Sequence, residues 1–236
     1  MDPDLRNALL VLGLVFCGFF ALITIGAIID TGLGPKPRAF MSDAEAHLPR
    51  ELAQALVGIE EVDLVVHTHL HVDHVGWDGA FPNARYIVHG DDWSFFSTEE
   101  SIAQRAHLRE KVLPLAEAGL VDLVDKETLV APGVRTVPTP GHTPGHMSAW
   151  IESGTDKLVV LGDVVVHESQ LADPELVYVS DADPAASALT RKDVLGRLAD
   201  EEADVIVSHF EGVGRFSRWD GGFCWSRAKE DAPPVE

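Results

Sequence analysis

The run Val65-Val66-His67-Thr68-His69-Leu70-His71-Val72-Asp73-His74-Val75-Gly76-Trp77 sets four imidazoles and a carboxylate within eight residues, directly behind a short apolar segment. Val62 to Val66 reads as a buried strand: it is apolar, β-branched and preceded by the acidic Glu60-Glu61. Residues two apart on an extended chain point the same way, so His69 and His71 can grip one cation together. Asp73 and His74 arrive as the chain turns and can serve a second ion close by. Imidazoles at this density are expensive to bury unless something binds their nitrogens, so the run predicts a metal site.

Three further stations offer ligands. Thr139-Pro140-Gly141-His142-Thr143-Pro144-Gly145-His146 carries two Pro-Gly turn signals; His142 lies in the turn and is the candidate ligand, whereas His146 opens the next strand and reads as a supporting histidine. Leu158 to Asp163 is an apolar strand ending at Gly-Asp, and a carboxylate leaving a buried strand needs a cation or donors. Asp204 to His209 delivers one more imidazole in the same way. Imidazole and carboxylate ligands without thiolate suit zinc or iron.

Strand and helix patterns alternate along the 236 residues, which predicts an α/β fold with one large core. Ser42-Asp43-Ala44-Glu45 reads as a capping box opening a helix through Val57, Tyr86 to Val88 as a short strand, and Ser101 to Glu117 as a helix ended or kinked by Pro114. Strands follow around Leu129, Val134 to Val137, Met147 to Ile151 and Lys157 to Leu161. A helix over Pro184 to Leu198 and a last strand over Asp204 to Ser208 complete the chain. Lys+Arg number 18 against 38 Asp+Glu, a net charge of -20, which argues against nucleic acid and anionic lipid as partners. A small-molecule substrate is expected instead. The cysteines, Cys17 and Cys224, form no framework and suit a reducing compartment.

Ala8 to Ile29 carries no charge, and two readings stand. By length it is a membrane-span candidate, with the later basic residues Lys36, Arg38 and Arg50 placing the rest of the chain in the cytoplasm. Alternatively it holds core strands, since Ile25-Gly26-Ala27-Ile28-Ile29 runs straight into Asp30-Thr31-Gly32. The expected organisation is therefore an apolar segment over 1–24, one domain over 25–228 and a disordered tail over 229–236, in a cytoplasmic protein or one anchored to a membrane by residues 8–29.

HTHLHVDH, PTPGHTPGH, a later Gly-Asp, a strand-end His and the Asp30-Thr31-Gly32 turn together resemble the metallo-β-lactamase-fold hydrolase superfamily, over about residues 25 to 215. The resemblance implies an αββα sandwich of two mixed sheets with outer helices and a site along one edge. By position it implies that His69, His71 and His142 hold one metal, that Asp73, His74 and His209 hold another, and that Asp163 bridges them. Two zinc ions, or iron, are the implied cofactors. A metal-bridging hydroxide would then attack an ester, lactone or related bond, with Asp73 orienting it and carrying its proton to the leaving group.

The chain looks nearest the group of lactonases, aryl-ester and organophosphate hydrolases. Nucleases of the fold handle polyanions, against which the charge argues. Quorum-quenching lactonases place a Tyr shortly after the bridging Asp, where this chain has Val164-Val165-Val166-His167. Either His167 substitutes as the donor to the substrate carbonyl or the lactonase branch does not apply; with Asp73, it is the candidate catalytic side chain. Trp77, the stretch His89 to Trp93, Phe95, Phe96, Phe210 and Phe216 are candidates for a pocket wall or for the core. Two other readings remain: an iron-dependent sulfur dioxygenase using the first three ligands alone, and a catalytically silent, truncated member.

Overall fold

Alternation along each strand decides which residue meets which layer. The computed structural model describes residues 22–23, 26–34 and 47–227. One sheet runs in chain order through β1 (Leu22–Ile23), β2 (Ala27–Ile29), β3 (Leu64–Val66), β4 (Arg85–His89) and β5 (Val121–Val124). β1 pairs antiparallel with β2 and the remaining neighbours are parallel. The second sheet holds β6 (Thr128–Ala131), β7 (Val134–Pro138), β8 (Met147–Ser153), β9 (Asp156–Val160), β10 (Asp204–Ile206), β11 (Val213–Trp219) and β12 (Gly222–Arg227), again as spatial neighbours in chain order. Only β9 and β10 are parallel there, in the register Val160 to Ile206.

Ile29, Val66 and Ile87 face Met147, Ala149, Ile151, Leu158, Val160 and Ile206 across the gap between the sheets. Their chain neighbours Ile28, Val65 and Tyr86 face the other way, against Leu48 and Leu52 of α1 (Leu48–Gln54), Phe81 and Leu115. On the far side Trp150, Val159 and Val205 pack under Val194, Leu195 and Leu198. Strands buried on both faces need apolar residues at every position, which accounts for the unbroken runs in the sequence. The result is a four-layer αββα sandwich.

Among the described residues five more α-helices lie between strands or over them. α2 (Gly90–Phe96) and α3 (Glu99–Gln104) follow β4; Thr98 Oγ1 caps α3 by accepting from Ser101 N at 3.2 Å. The helix expected over Ser101 to Glu117 is broken at Arg105 (φ -122°, ψ 96°). Its second half begins as a π turn over Leu108–Val112 and becomes α4 (Leu113–Glu117), with Pro114 in the first turn. Pro114 has no N–H to give Glu110, so the turn before it widens and Leu113 N reaches back to Leu108 O. After the short α5 (Ser169–Ala172), α6 (Pro184–Glu201) is capped by Asp183 Oδ1, which accepts from Ala185 N and Ala186 N at 3.1 and 3.0 Å.

Several expectations need correcting. Asp204 to Ser208 does not hold the last strand: the β11–β12 hairpin follows, closed by Asp220 (φ 31°) and Gly221 (φ 85°). Two positive φ values at Asp-Gly are the ordinary signature of a tight hairpin turn. β5 and α2 were not expected either. The apolar run Ala8 to Ile29 is not one membrane span through to its end, since Leu22–Ile23 and Ala27–Ile29 are strands and Ala27, Ile28 and Ile29 are fully buried. Residues 1–21, the Ser42 to Glu45 capping box and the 229–236 tail lie outside the described residues. Among the described residues no helix is long and apolar enough to cross a membrane.

The loop after β2 crosses the loop after β3 at two glycines. Gly76 N donates to Gly32 O at 2.6 Å, and a Cβ at Gly76 would sit 2.0 Å from Leu33 C and 2.2 Å from Gly34 N. Both obstacles are backbone, which cannot swing aside as a side chain would. Gly76→Ala is expected to destabilise the domain by about 1–3 kcal/mol, read as a lowered midpoint in urea unfolding; an unchanged midpoint would refute the close crossing.

Candidate metal centre

Each site residue leaves the end of a buried strand on one edge of the sandwich. β2 ends at Asp30, β3 runs into His67–His74, β9 into Gly162-Asp163 and β10 into Ser208-His209. The turn between β7 and β8 carries Thr139–His146, and Met147 N donates to Thr68 O at 2.8 Å, tying the edges of the two sheets together. At Gly162 (φ +65°) a Cβ would meet His146 Nε2 at 2.6 Å, so the approach to Asp163 requires glycine.

Three imidazoles converge first. His71 Nδ1 lies 2.9 Å from His69 Nε2 and 3.0 Å from His142 Nε2. Burial and neighbouring imidazoles push His69 and His71 well below the ordinary imidazole value, so both are neutral and expose lone pairs. One shared proton cannot satisfy three nitrogens aimed at one point. Nitrogens about 2.0–2.1 Å from one tetrahedral zinc would stand roughly 3.3 Å apart, close to this spacing. His142 is held from behind, its Nδ1 3.0 Å from the buried Asp181 Oδ1, so the donor nitrogen faces away and Nε2 faces the cluster.

A second group lies alongside. One atom each of Asp73, His74 and His209 lies within 4.8 Å of the others, and so does one atom each of His69, His74 and Asp163. Asp163 stands between the two sets: Oδ2 is 3.1 Å from His209 Nε2 and 3.5 Å from His142 Nε2, and Oδ1 is 3.4 Å from His74 Nε2. Asp163 Oδ1 and His74 Nε2 are buried and neither makes a hydrogen bond. Burial would raise the Asp163 carboxyl, but His209 and His74 hold it well below the carboxylate range. Burial likewise works against a charged His74, yet Asp163, Asp30 and Asp73 push its pKa well above the ordinary value. The site therefore demands positive charge at a point where bare ligand atoms already face inward, and the donor set fits a divalent cation.

Behind these atoms runs a buried charge relay. His74 Nδ1 is 2.8 Å from Asp30 Oδ2, while Thr68 donates to Asp30 through N and Oγ1 at 2.8 Å each. His67 Nε2 lies 3.0 Å from Asp78 Oδ2, off the angle of a hydrogen bond, so charge holds that pair. Burial opposes both charged forms here too; His74 and His67 nevertheless bring Asp30 down to about 2, and Asp78 with Asp30 takes His67 up to about 9. Asp92, also buried, accepts from Leu70 N at 3.1 Å and Gly145 N at 2.8 Å, pinning the two histidine loops together. His146 supports Asp163 by accepting its backbone N–H through Nε2 at 2.9 Å.

A profile of the Metallo-beta-lactamase superfamily matches residues 24–209. The chain belongs to that superfamily. It is 30% identical over 138 residues to the N-acyl homoserine lactonase AiiA of Bacillus thuringiensis subsp. kurstaki, which covers 57% of this chain and 52% of that protein. The N-acyl homoserine lactonase AttM of Agrobacterium fabrum is 32% identical over 110 residues, 43% of this chain and 40% of its own length. The chain thus spans about half the length of the curated relatives it matches. Among solved structures, the hydrolase AbOPH of the beta lactamase superfamily has a TM-score of 0.75 at 24% identity, covering 87% of this chain and 76% of that one. AidC, a dizinc quorum-quenching lactonase, has a TM-score of 0.73 at 22% identity, covering 89% and 78%. Both show the fold of this superfamily.

Within this metallo-beta-lactamase fold the structure brings His69, His71, Asp73, His74, His142, Asp163 and His209 together. It does not bring His167 to them. That residue is exposed and its Nδ1 serves the turn into α5, 2.8 Å from Ser169 Oγ and accepting from Ser169 N at 3.1 Å. Of the aromatic side chains, Tyr178 stacks on His142 with ring centroids 6.2 Å apart. Phe96 meets His71 edge-on at 5.5 Å, whereas Phe210 and Phe216 pack in the core under α6 with Trp225.

His67 gives this network a pH dependence. Its folded pKa exceeds the unfolded value, so its stabilisation is complete below about 6.5 and is lost as pH rises through about 9. Asp78→Asn removes the charge first responsible. In thermal unfolding between pH 6.5 and 10, the wild type is expected to lose more stability than Asp78→Asn; parallel losses would refute the ion pair.

Proposed function

We propose that this chain is a metal-dependent hydrolase that opens a small neutral lactone or ester, with residues 25–228 as its catalytic domain. The observation that carries the reading is the convergence of His69 Nε2, His71 Nδ1 and His142 Nε2 beside the bare pair His74 Nε2 and Asp163 Oδ1. His69, His71 and His142 would hold one zinc ion, Asp73, His74 and His209 a second, and Asp163 would touch both. Divalent ions held there would supply Lewis acidity, lowering the pKa of the attacking water towards neutrality and polarising the substrate oxygen.

The side chains do the remaining work. Asp73 is only half-buried, its Oδ2 3.8 Å from His74 Nε2 and 4.0 Å from His209 Nε2, so it can orient the attacking water and carry the proton to the leaving oxygen. Asp181 and Asp30 keep His142 and His74 aimed without reorganisation during the reaction. The net charge of -20 favours a neutral substrate over a polyanion. The lactonase relatives support a lactone among neutral substrates.

The competing reading is a dioxygenase with one iron on His69, His71 and His142. The assembly of Asp73, His74 and His209 beside that set favours two ions. Oxygen uptake with a persulfide substrate would reverse the preference.

His69→Ala, His142→Ala and Asp163→Ala are each expected to lower kcat/KM on a lactone and ester panel by about 10³-fold or more while leaving circular dichroism unchanged. Asp181→Asn, which keeps the shape but weakens the hold on His142, should lose about 10–100-fold in activity or zinc affinity. Full activity in the three alanine variants would end the hydrolase reading.

A further inference from the structure

One residue, Leu70, separates the candidate ligands His69 and His71, and the backbone between them is gripped from two sides. The Leu70 N–H belongs to the peptide shared with His69, and it donates to Asp92 Oδ2 at 3.1 Å. The Leu70 carbonyl belongs to the peptide shared with His71, and His107 Nε2 stands 3.1 Å from its oxygen. A carbonyl only accepts, so this bond puts the His107 ring proton on Nε2. The Leu70 side chain is fully buried and packs in a small core with Val75, Val88, Phe96, Leu108 and Val112. With both peptide planes and the side chain held, little backbone freedom remains to change the pitch of His69 against His71.

His107 is itself buried and sits at an irregular joint of the chain. α3 stops at Arg105, where φ of -122° and ψ of 96° break the helix, and the π turn begins at Leu108, directly after His107. At this joint the imidazole meets the ligand loop while Leu108 and Val112 keep facing the core. Three of the cluster rings are steadied through their second nitrogen: His142 by Asp181, His74 by Asp30, and His69 with Thr68 Oγ1 at 3.1 Å. His71 instead aims Nδ1 at its neighbours. That atom is one bond nearer the main chain than Nε2, so a shift of the backbone passes to it with less slack.

We propose that His107 is a positioning residue for the set His69, His71 and His142, holding the Leu70 carbonyl so that His71 Nδ1 stays aimed alongside His69 Nε2. The inference rests on the hydrolase reading, which gives those three residues one zinc ion. It adds a role for a histidine that lies 37 residues along the chain from the carbonyl it holds. A side chain that merely filled the joint would affect stability alone, whereas a positioning residue also governs how tightly the three imidazoles hold a cation.

The test measures zinc affinity of the full chain by competition with a chromophoric chelator, in a His209→Ala background that leaves His69, His71 and His142 intact. His107→Phe keeps a buried ring and removes the donor; His107→Leu takes its place if the larger ring does not fit. His107→Gln offers an amide N–H where Nε2–H stood. Loss of the donor is expected to weaken zinc binding by about 10–100-fold, and His107→Gln to recover most of that loss. Urea unfolding of the same metal-free variants separates the two roles. A lowered midpoint with zinc affinity unchanged means that His107 only fills the joint, and overturns the proposal. Equal zinc affinity in His107→Phe and His107→Gln overturns it too, because the donor would then not matter. No zinc bound by His209→Ala with His107 in place sinks the assignment of the three-histidine set, and the proposal with it.

Discussion

Buried imidazole nitrogens aimed at one point are tolerable only if a cation takes their lone pairs, and the rest of the molecule is arranged around that constraint. Each ring has two nitrogens, so aiming one requires fixing the other. Asp181 does this for His142 and Asp30 for His74, while Thr68 Oγ1 stands 3.1 Å from His69 Nδ1. The carboxylates that aim the rings also deepen the local demand for positive charge. Orientation and affinity thus come from the same contacts.

The sandwich provides what loops alone would not. Parallel strands β2 and β3 in one sheet, and β9 and β10 in the other, release their chains at one edge, so ligands far apart in sequence arrive within a few ångströms. The crossing at Gly76 brings two backbones together, and the close pass at Gly162 brings a backbone against the His146 ring, nearer than any Cβ would allow. Asp92 then locks the two histidine loops to each other through backbone amides. Positions held this way need little reorganisation when a ligand binds.

Much of this was legible in the chain because its signals are local. The HTHLHVDH run and the apolar strands ending in Asp163 and His209 announce themselves over a few residues. The supporting contacts are not local: His142 meets Asp181 across 39 residues and His74 meets Asp30 across 44. An isolated aspartate gives no sign of such a partner, so Asp92 and Asp181 were missed although Asp30 stood in a recognisable turn. His167 drew attention by its distance from Asp163, yet the chain turns into α5 there and leaves it in solvent. Tyr178 stacks on His142 because Arg191 and Asp181 fold the segment back, which spacing cannot reveal. The β11–β12 hairpin did carry a local signal, Asp220-Gly221, while β5 is a four-residue strand with an acidic residue inside it.

The central claim is that two cation sites lie side by side and share Asp163. Calorimetric titration of the metal-free protein with zinc tests it most directly, in the wild type and in His209→Ala. The account predicts two equivalents bound by the wild type and one by the variant, which keeps His69, His71 and His142. A single equivalent in the wild type, or the same stoichiometry in both proteins, would contradict it.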